Sequence, residues 1–144
     1  MYLTGSKQHT LDAKVRLTLP AEFRREFDRE VCIVPAASAL YGFTPEGHKA
    51  WVESSFPNGF NPRSAADDKL RRFLNGQTVH VDIDSAGRIA LGKIPEKIRK
   101  QFGLNQEVVI VGNDDHFEIW NPDRWQESQA AFEQDFDAIM FTED

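Results

Sequence analysis

The chain has 144 residues, of which 40% are hydrophobic, and its formal net charge is −6. This length suits one compact domain or two very small ones, and the negative total excludes a uniformly basic nucleic-acid coat. The sequence contains no apolar run of about 18 residues, so we expect no membrane span. The N-terminus lacks the apolar core of a signal peptide. The single cysteine, Cys32, cannot form an internal disulfide, which favours a reducing cytoplasm.

The charge is unevenly distributed along the chain. Residues 114–144 contain ten acidic residues and one basic residue, whereas residues 1–113 contain sixteen basic and thirteen acidic residues. We interpret the acidic tail as a solvated surface helix, or as a segment that keeps acidic groups away from a basic face. The net charge therefore does not exclude a polyanionic partner.

Two segments of the chain repeat one pattern. Residues 11–24 and 83–99 each contain an aliphatic residue, Asp, three further residues, Arg, an apolar strand and a Pro that opens a helix. Short apolar strands at 31–34 and 108–111 follow in the same order, and each precedes a second strand that ends near a Pro. This recurrence indicates an internal duplication.

Each copy predicts the element order strand, helix, strand, strand, helix. Val15, Leu17 and Leu19 alternate with polar residues, which is the period of a strand. Pro20 and Pro95 suit the first turn of a helix, where the missing N–H has no intrahelical partner. A unit of about 45 residues buries little core by itself, so we expect the two copies to pair into one pseudo-symmetric, barrel-like unit.

The predicted organisation has four parts: a first repeat at residues 5–52, a connector with a helix at 53–76, a second repeat at 77–125, and an acidic amphipathic C-terminal helix at 126–144. Ser64 is expected to cap the connector helix. In the tail, Phe132, Phe136 and Ile139 share one helical face, which we expect to pack against the rest of the protein.

These patterns resemble the MraZ family of bacterial transcriptional regulators, which have two tandem SpoVT-AbrB domains. The resemblance covers residues 5 to about 125. It rests on Asp-x-x-x-Arg followed by a strand, a Pro and a helix, present twice, and on the more specific segment HFEIWNPDRW at 116–125. It implies an α+β fold of two AbrB-like β-α-β-β repeats with flanking helices.

The resemblance also implies a function. Members of this family bind short repeated sequences in the promoter of the division and cell-wall gene cluster through their Asp-x-x-x-Arg motifs, mainly as repressors. The implied partners are double-stranded promoter DNA and further copies of the chain in a ring, an octamer or a dodecamer. The implied location is the cytoplasm, at the nucleoid. We expect no cofactor, no membrane contact and no small-molecule substrate.

The candidate DNA-contacting residues lie in the two repeated loops and beside them. Arginine can donate two hydrogen bonds to guanine O6 and N7, whereas lysine suits phosphates. We expect the arginines to read bases, the lysines to position the protein, and the aspartates to accept backbone N–H groups or to hold the arginine side chains. These residues are Arg16 and Arg88, Lys14 and Lys7, and Asp12 and Asp84. The alternative is that each Asp–Arg pair only stabilises a turn.

Two features depart from the family pattern. Val15 stands where the family usually has Gly before the first arginine, and β-branched residues resist positive φ, so we expect a more extended first loop. In the second copy Gly92 stands where the family's Pro follows the strand, and Pro95 comes three residues later. This spacing predicts a short insertion before the second helix.

Other chemistries have less support. The four histidines lack metal-ligand spacing, Cys32 lies in an apolar strand as a buried inert thiol would, and no Gly-rich phosphate loop is found. Asp82 and Asp84 share a strand face, where solvation is the simpler interpretation. We therefore expect no enzyme, no metal and no cofactor. Two alternatives stay open: a ring-forming scaffold whose basic loops bind an acidic protein, and an antitoxin-like AbrB-fold regulator that binds DNA and a toxin.

Overall fold

The computed structural model describes residues 1–142, in which the two halves repeat one order of strands and helices. The first half contains β1 (Ser6–Thr10), β2 (Arg16–Thr18), α1 (Ala21–Arg24), β3 (Glu30–Ala36), β4 (Ala39–Phe43) and α2 (Pro45–Ser54). After α3 (Ala65–Gly76), the second half contains β5 (Val79–Asp82), β6 (Arg88–Ala90), α4 (Glu96–Gln101), β7 (Glu107–Gly112), β8 (Phe117–Trp120) and α5 (Pro122–Glu133), followed by α6 (Phe136–Phe141). Among the described residues, no helix combines the length and the apolar character that crossing a bilayer requires.

Each half begins with a strand that the sequence analysis missed. The predicted order placed one strand before the first helix, whereas the structure has two, with β1 and β5 as the additional ones. Both lie at the edges of the sheet, and β1 has almost no buried side chain. Hydrophobic alternation reveals a strand only where one face is buried, so the polar sequence of β1 carries no such signal.

The two repeats exchange their first strands. The main sheet is antiparallel with the order β1-β7-β8-β4-β3-β5. Strand β1 of the first repeat pairs with β7 of the second, from Ser6 opposite Val111 to Thr10 opposite Glu107. Strand β5 of the second repeat pairs with β3 of the first. Each repeat thus completes the sheet of the other, which is how two units too small for separate cores share one.

A second, two-stranded sheet joins the halves at the pseudo-twofold axis. Strands β2 and β6 pair antiparallel, with Leu17 opposite Ile89, and both of these side chains are fully buried. We call this element the β2–β6 ribbon. The predicted α+β class with two repeats is confirmed. The barrel does not close, because β1 and β5 remain the two edges of the main sheet.

The core shows one close approach that only a glycine permits. Gly42 on β4 lies opposite Phe117 on β8, and the Phe117 ring covers the place where a Cβ would project. Phe117 is itself fully buried, with the ring of Phe27 5.4 Å away, edge to face. The ring therefore has no free volume into which it could move.

We expect Gly42→Ala to lower the free energy of unfolding by about 2 kcal/mol, because the added methyl overpacks the core against Phe117. Urea denaturation followed by circular dichroism measures this loss. Gly76→Ala is the matched control, since a Cβ at the end of α3 meets open space. Equal stability of the Gly42→Ala protein and the wild type would contradict this packing.

Ser64 caps α3 as predicted, and two other helices begin in the same way. Thr44, Ser64 and Asn121 cap helices α2, α3 and α5, and each side-chain oxygen accepts the backbone N–H three residues later, at 3.0, 3.1 and 3.0 Å. A side-chain oxygen at this position satisfies one of the N–H groups that a helix leaves unpaired at its first turn.

The acidic tail differs from the prediction of one packed helix over 126–144. Two helices, α5 and α6, cover this region, and α5 already begins at Pro122. The predicted apolar face is exposed within the chain, with Phe132, Phe136 and Ile139 at 48%, 43% and 61% exposure. Residues 143 and 144 of the predicted helix lie outside the described part of the chain.

Candidate nucleic-acid interface

The first Asp-x-x-x-Arg loop is built around the carboxylate of Asp12. Its Oδ1 accepts the backbone N–H groups of Lys14 and Arg16, at 2.9 and 2.8 Å. Its Oδ2 accepts the side-chain Nε–H of Arg16 at 2.6 Å. One carboxylate thus shapes the loop and orients the arginine at its end, because a charged acceptor binds several donors at once.

The second loop repeats this geometry atom for atom. Oδ1 of Asp84 accepts the N–H groups of Ala86 and Arg88, both at 2.9 Å, and Oδ2 accepts Nε–H of Arg88 at 2.9 Å. The backbone N–H of Asp84 in turn donates to the carbonyl of Arg88 at 2.9 Å. The internal duplication is therefore preserved in the side-chain contacts as well as in the strands.

These hydrogen bonds keep both carboxyl groups ionised. The backbone N–H of Arg16 lowers the pKa of Asp12, and the Arg16 side chain lowers it further. The backbone N–H and the side chain of Arg88 do the same to the pKa of Asp84. A lowered pKa means that each carboxylate keeps its charge at every pH above its ordinary value of about 3.9.

The expectation of a more extended first loop is wrong. Val15 has φ +58° and Gly87, its counterpart, has φ +79°, so both loops turn in the same left-handed way. A β-branched residue pays roughly 1–2 kcal/mol for this conformation. Two backbone hydrogen bonds offset the strain. The N–H of Val15 donates to the backbone carbonyl of Asp12 at 2.9 Å, and the carbonyl of Val15 accepts the backbone N–H of Leu91 at 2.9 Å.

At the insertion predicted in the second copy, the chain forms a single turn of 3₁₀-helix over Leu91–Lys93. The N–H of Leu91 donates to the carbonyl of Val15, and the N–H of Leu19 donates in the equivalent way to the carbonyl of Gly87, both at 2.9 Å. The two copies therefore stay in register up to Leu91, and the additional residues lie between it and Pro95. The insertion leaves the second loop and Arg88 unaffected.

The ribbon presents both arginines on one face. Arg16 lies opposite Ala90, and Arg88 is opposite Thr18, so the two arginines are diagonal neighbours. Diagonal pairs on one face of an antiparallel pair have backbone separations of about 7–8 Å. With Leu17 buried beneath the ribbon, this face points away from the core. Among the described residues, the terminal Nη groups of Arg16 and Arg88 make no hydrogen bond and can take an external acceptor.

The lysines are placed differently from each other. Lys14 is exposed at the tip of the first loop. Lys7 lies on edge strand β1, opposite Ile110, and is part of neither loop. The structure thus gathers five of the six predicted residues in the two loops and leaves Lys7 apart.

Two further arginines, which the sequence analysis did not single out, lie beside the loops. Arg24 on α1 donates from Nη2 to the carbonyl of Ser85 in the second loop, at 3.3 Å. Arg99 on α4 lines a cleft together with Asp12 and other residues of the first loop. An arginine of each repeat therefore lies beside the loop of the other repeat. The sequence does contain a signal for these two arginines, because each is the fourth residue after the proline that precedes its helix.

Comparison with known proteins identifies the family of the chain. Residues 2–69 and 74–142 match the family model described as "MraZ protein, putative antitoxin-like". The chain is 35% identical to the "Transcriptional regulator MraZ" of Oenococcus oeni, with 94% of this chain and 92% of that protein aligned. It is 36% identical to the protein of the same name from Roseiflexus castenholzii, over 96% and 93% of the two chains. Both relatives are named as regulators and not as enzymes. The resemblance carried by the duplicated loops is thus confirmed: the chain belongs to the MraZ family.

Proposed function

We propose that this chain is a sequence-specific DNA-binding transcriptional regulator that reads repeated promoter boxes through its two Asp-x-x-x-Arg loops. The observation that carries the proposal is the pair Arg16 and Arg88, half-buried on one face of a two-stranded ribbon and each oriented by a carboxylate. The major groove of B-DNA admits such a ribbon and offers guanine O6 and N7 to an arginine side chain. The name of the relatives supports a regulator.

The division of labour between the basic residues follows from their geometry. Arg16 and Arg88 have their Nε groups engaged by Asp12 and Asp84, which leaves their Nη groups available for base contacts. Lys14 carries a mobile point charge at the loop tip and suits a phosphate. Asp12 and Asp84 shape the loops and hold the arginines, and have their oxygens occupied by protein donors.

We infer that several copies of the chain assemble into a ring, so that neighbouring ribbons engage neighbouring boxes. Two arginines per chain give modest affinity, and joining several chains raises the effective concentration of each further contact. The exposed apolar residues of α5 and α6, among them Phe132 and Phe136, supply a surface for such assembly. By the family resemblance, the regulator acts mainly as a repressor of the division and cell-wall gene cluster, in the cytoplasm at the nucleoid.

The decisive experiment is fluorescence anisotropy with a labelled duplex that carries the repeats upstream of the protein's own gene, beside a scrambled duplex, at two salt concentrations. We expect Arg16→Ala/Arg88→Ala to weaken binding to the box duplex by about 100-fold or more, since each bidentate base contact is worth about 1–3 kcal/mol. Binding to the scrambled duplex should change little and fall with salt.

The matched control is Arg63→Ala/Arg72→Ala, which also removes two positive charges, here from the connector and from α3. This variant should bind the box duplex as the wild type does. Equal, weak binding of the wild type to both duplexes, unaffected by the loop substitutions, would overturn the proposal and favour the scaffold that binds an acidic protein.

A further inference from the structure

Three potential metal ligands that are far apart in the sequence meet at one edge of the main sheet. Glu30 and Cys32 are two residues apart on β3 and so share a face. His80 on β5 lies directly opposite Cys32. The ligand atoms of these three residues all lie within 4.8 Å of one another.

Two of the three distances within this cluster match those of a tetrahedral zinc site. Nδ1 of His80 is 3.5 Å from Sγ of Cys32 and 3.5 Å from Oε1 of Glu30. Zinc binds thiolate sulfur at about 2.3 Å and imidazole nitrogen or carboxylate oxygen at about 2.0–2.2 Å, so neighbouring ligand atoms of a tetrahedral site are roughly 3.4–3.6 Å apart. Both 3.5 Å separations fall in this interval. The same histidine nitrogen faces the other two ligands, as a shared metal requires.

The surroundings are acidic and accessible. Glu30 also lines a cleft of about 380 Å³ with four other carboxylates and a single arginine. Those carboxylates belong to Glu26, Asp28, Glu46 and Asp82. The side chains of His80 and Glu30 are 59% and 34% exposed, so an ion reaches the cluster from solvent, whereas Cys32 is buried behind them. Such a concentration of negative charge draws cations.

We propose that Glu30, Cys32 and His80 form a binding site for a thiophilic divalent cation, zinc in the first place, with a water in the fourth position. The ligands combine thiolate, imidazole and carboxylate, a set that zinc accepts and that calcium and magnesium do not favour. Because the ligands come from β3 of the first repeat and β5 of the second, the ion joins the two repeats at the edge of the sheet. The proposal is independent of DNA binding, since the cluster shares no residue with the loops.

Binding exchanges a proton for the metal. Burial raises the pKa of the Cys32 thiol to about 11, and the charges of Glu30 and Glu46 add to this, so the free thiol is protonated at neutral pH. The thiol gives up this proton when sulfur binds the cation, and the neutral imidazole and the carboxylate bind through lone pairs. One proton is therefore released for each ion that binds.

The test uses the full chain, stripped with a chelator and dialysed against zinc, with cobalt as a spectroscopic probe. We expect one zinc per chain and a near-ultraviolet thiolate-to-cobalt charge-transfer band. His80→Gln changes an exposed side chain, so the protein should keep its circular dichroism spectrum while losing about 100-fold or more in zinc affinity. Cys32→Ala should abolish the cobalt band.

The matched control is Asp28→Asn, which removes a charge from the acidic cleft without removing a ligand. This variant should still bind one zinc per chain and show the same thiolate-to-cobalt charge-transfer band. The proposal is overturned if the wild type binds no zinc at equilibrium, if cobalt gives no thiolate band, or if His80→Gln binds zinc as tightly as the wild type, which would indicate diffuse attraction by the acidic cleft.

Discussion

Replacing Glu118 by Ala is expected to lower the free energy of unfolding by about 3 kcal/mol, the largest loss we anticipate for any single substitution. Glu118 is buried in β8 and accepts three hydrogen bonds, from His116 Nε2 at 2.8 Å, Asn113 Nδ2 at 2.9 Å and Trp120 Nε1 at 2.9 Å. Removing the carboxylate leaves the buried His116 and Trp120 donors without this acceptor. Urea denaturation at pH 6 measures the loss.

The same network makes stability depend on pH in a defined direction. Burial lowers the pKa of His116, but hydrogen bonds and charges from Glu118 and Asp115 outweigh burial, so the pKa is raised. Its stabilising contribution is therefore complete below the unfolded value of about 6.5 and is lost as pH rises through the folded value. The wild type should therefore lose stability as pH rises above about 6.5, and Glu118→Ala should lose less over the same range.

Glu127→Ala is the control for this prediction, since Glu127 is an exposed acid on α5. It should change the free energy of unfolding by at most about 0.5 kcal/mol. A Glu118→Ala protein as stable as this control would show that the buried network contributes nothing.

Asp12→Asn/Asp84→Asn is expected to weaken binding to the box duplex by about 100-fold, although it removes two negative charges. Each carboxylate orients an arginine through Oδ2, and an amide cannot accept both backbone N–H groups and the arginine Nε–H with the same strength. Losing the orientation of one base-reading arginine costs about tenfold per loop. Anisotropy with the box and scrambled duplexes measures both affinities.

The sign of the change in box-duplex affinity distinguishes positioning of the arginines from simple repulsion of phosphates. If the aspartates merely repelled phosphates, their neutralisation would strengthen binding to every duplex. Glu127→Gln/Glu133→Gln, which removes two charges from exposed positions on α5, shows the size of that general effect. Tighter binding of the box duplex by Asp12→Asn/Asp84→Asn would refute the positioning role of the two carboxylates.

Local signals in the sequence predicted the local structure well. Ser64 caps α3 as predicted, and Thr44 and Asn121 cap α2 and α5 in the same way, because a cap depends only on residues within one turn. The repeated Asp-x-x-x-Arg motif located both loops, because their hydrogen bonds close within five residues. Strand β1 was missed, because its polar residues owe their conformation to pairing with β7.

By itself, the sequence determined the duplication, the α+β class, the family and the two loops, all of which depend on composition, spacing and short-range contacts. Only the tertiary structure decided what lies together across the halves. The exchange of β1 and β5 brings Cys32 beside His80, and the pairing of β2 with β6 sets Arg16 and Arg88 on one face. It also imposed a left-handed conformation on Val15, against the preference of a β-branched residue. The backbone bond from Leu91 to the Val15 carbonyl joins distant segments, and together with the bond from Val15 to the Asp12 carbonyl within the loop it offsets the strain of this one residue.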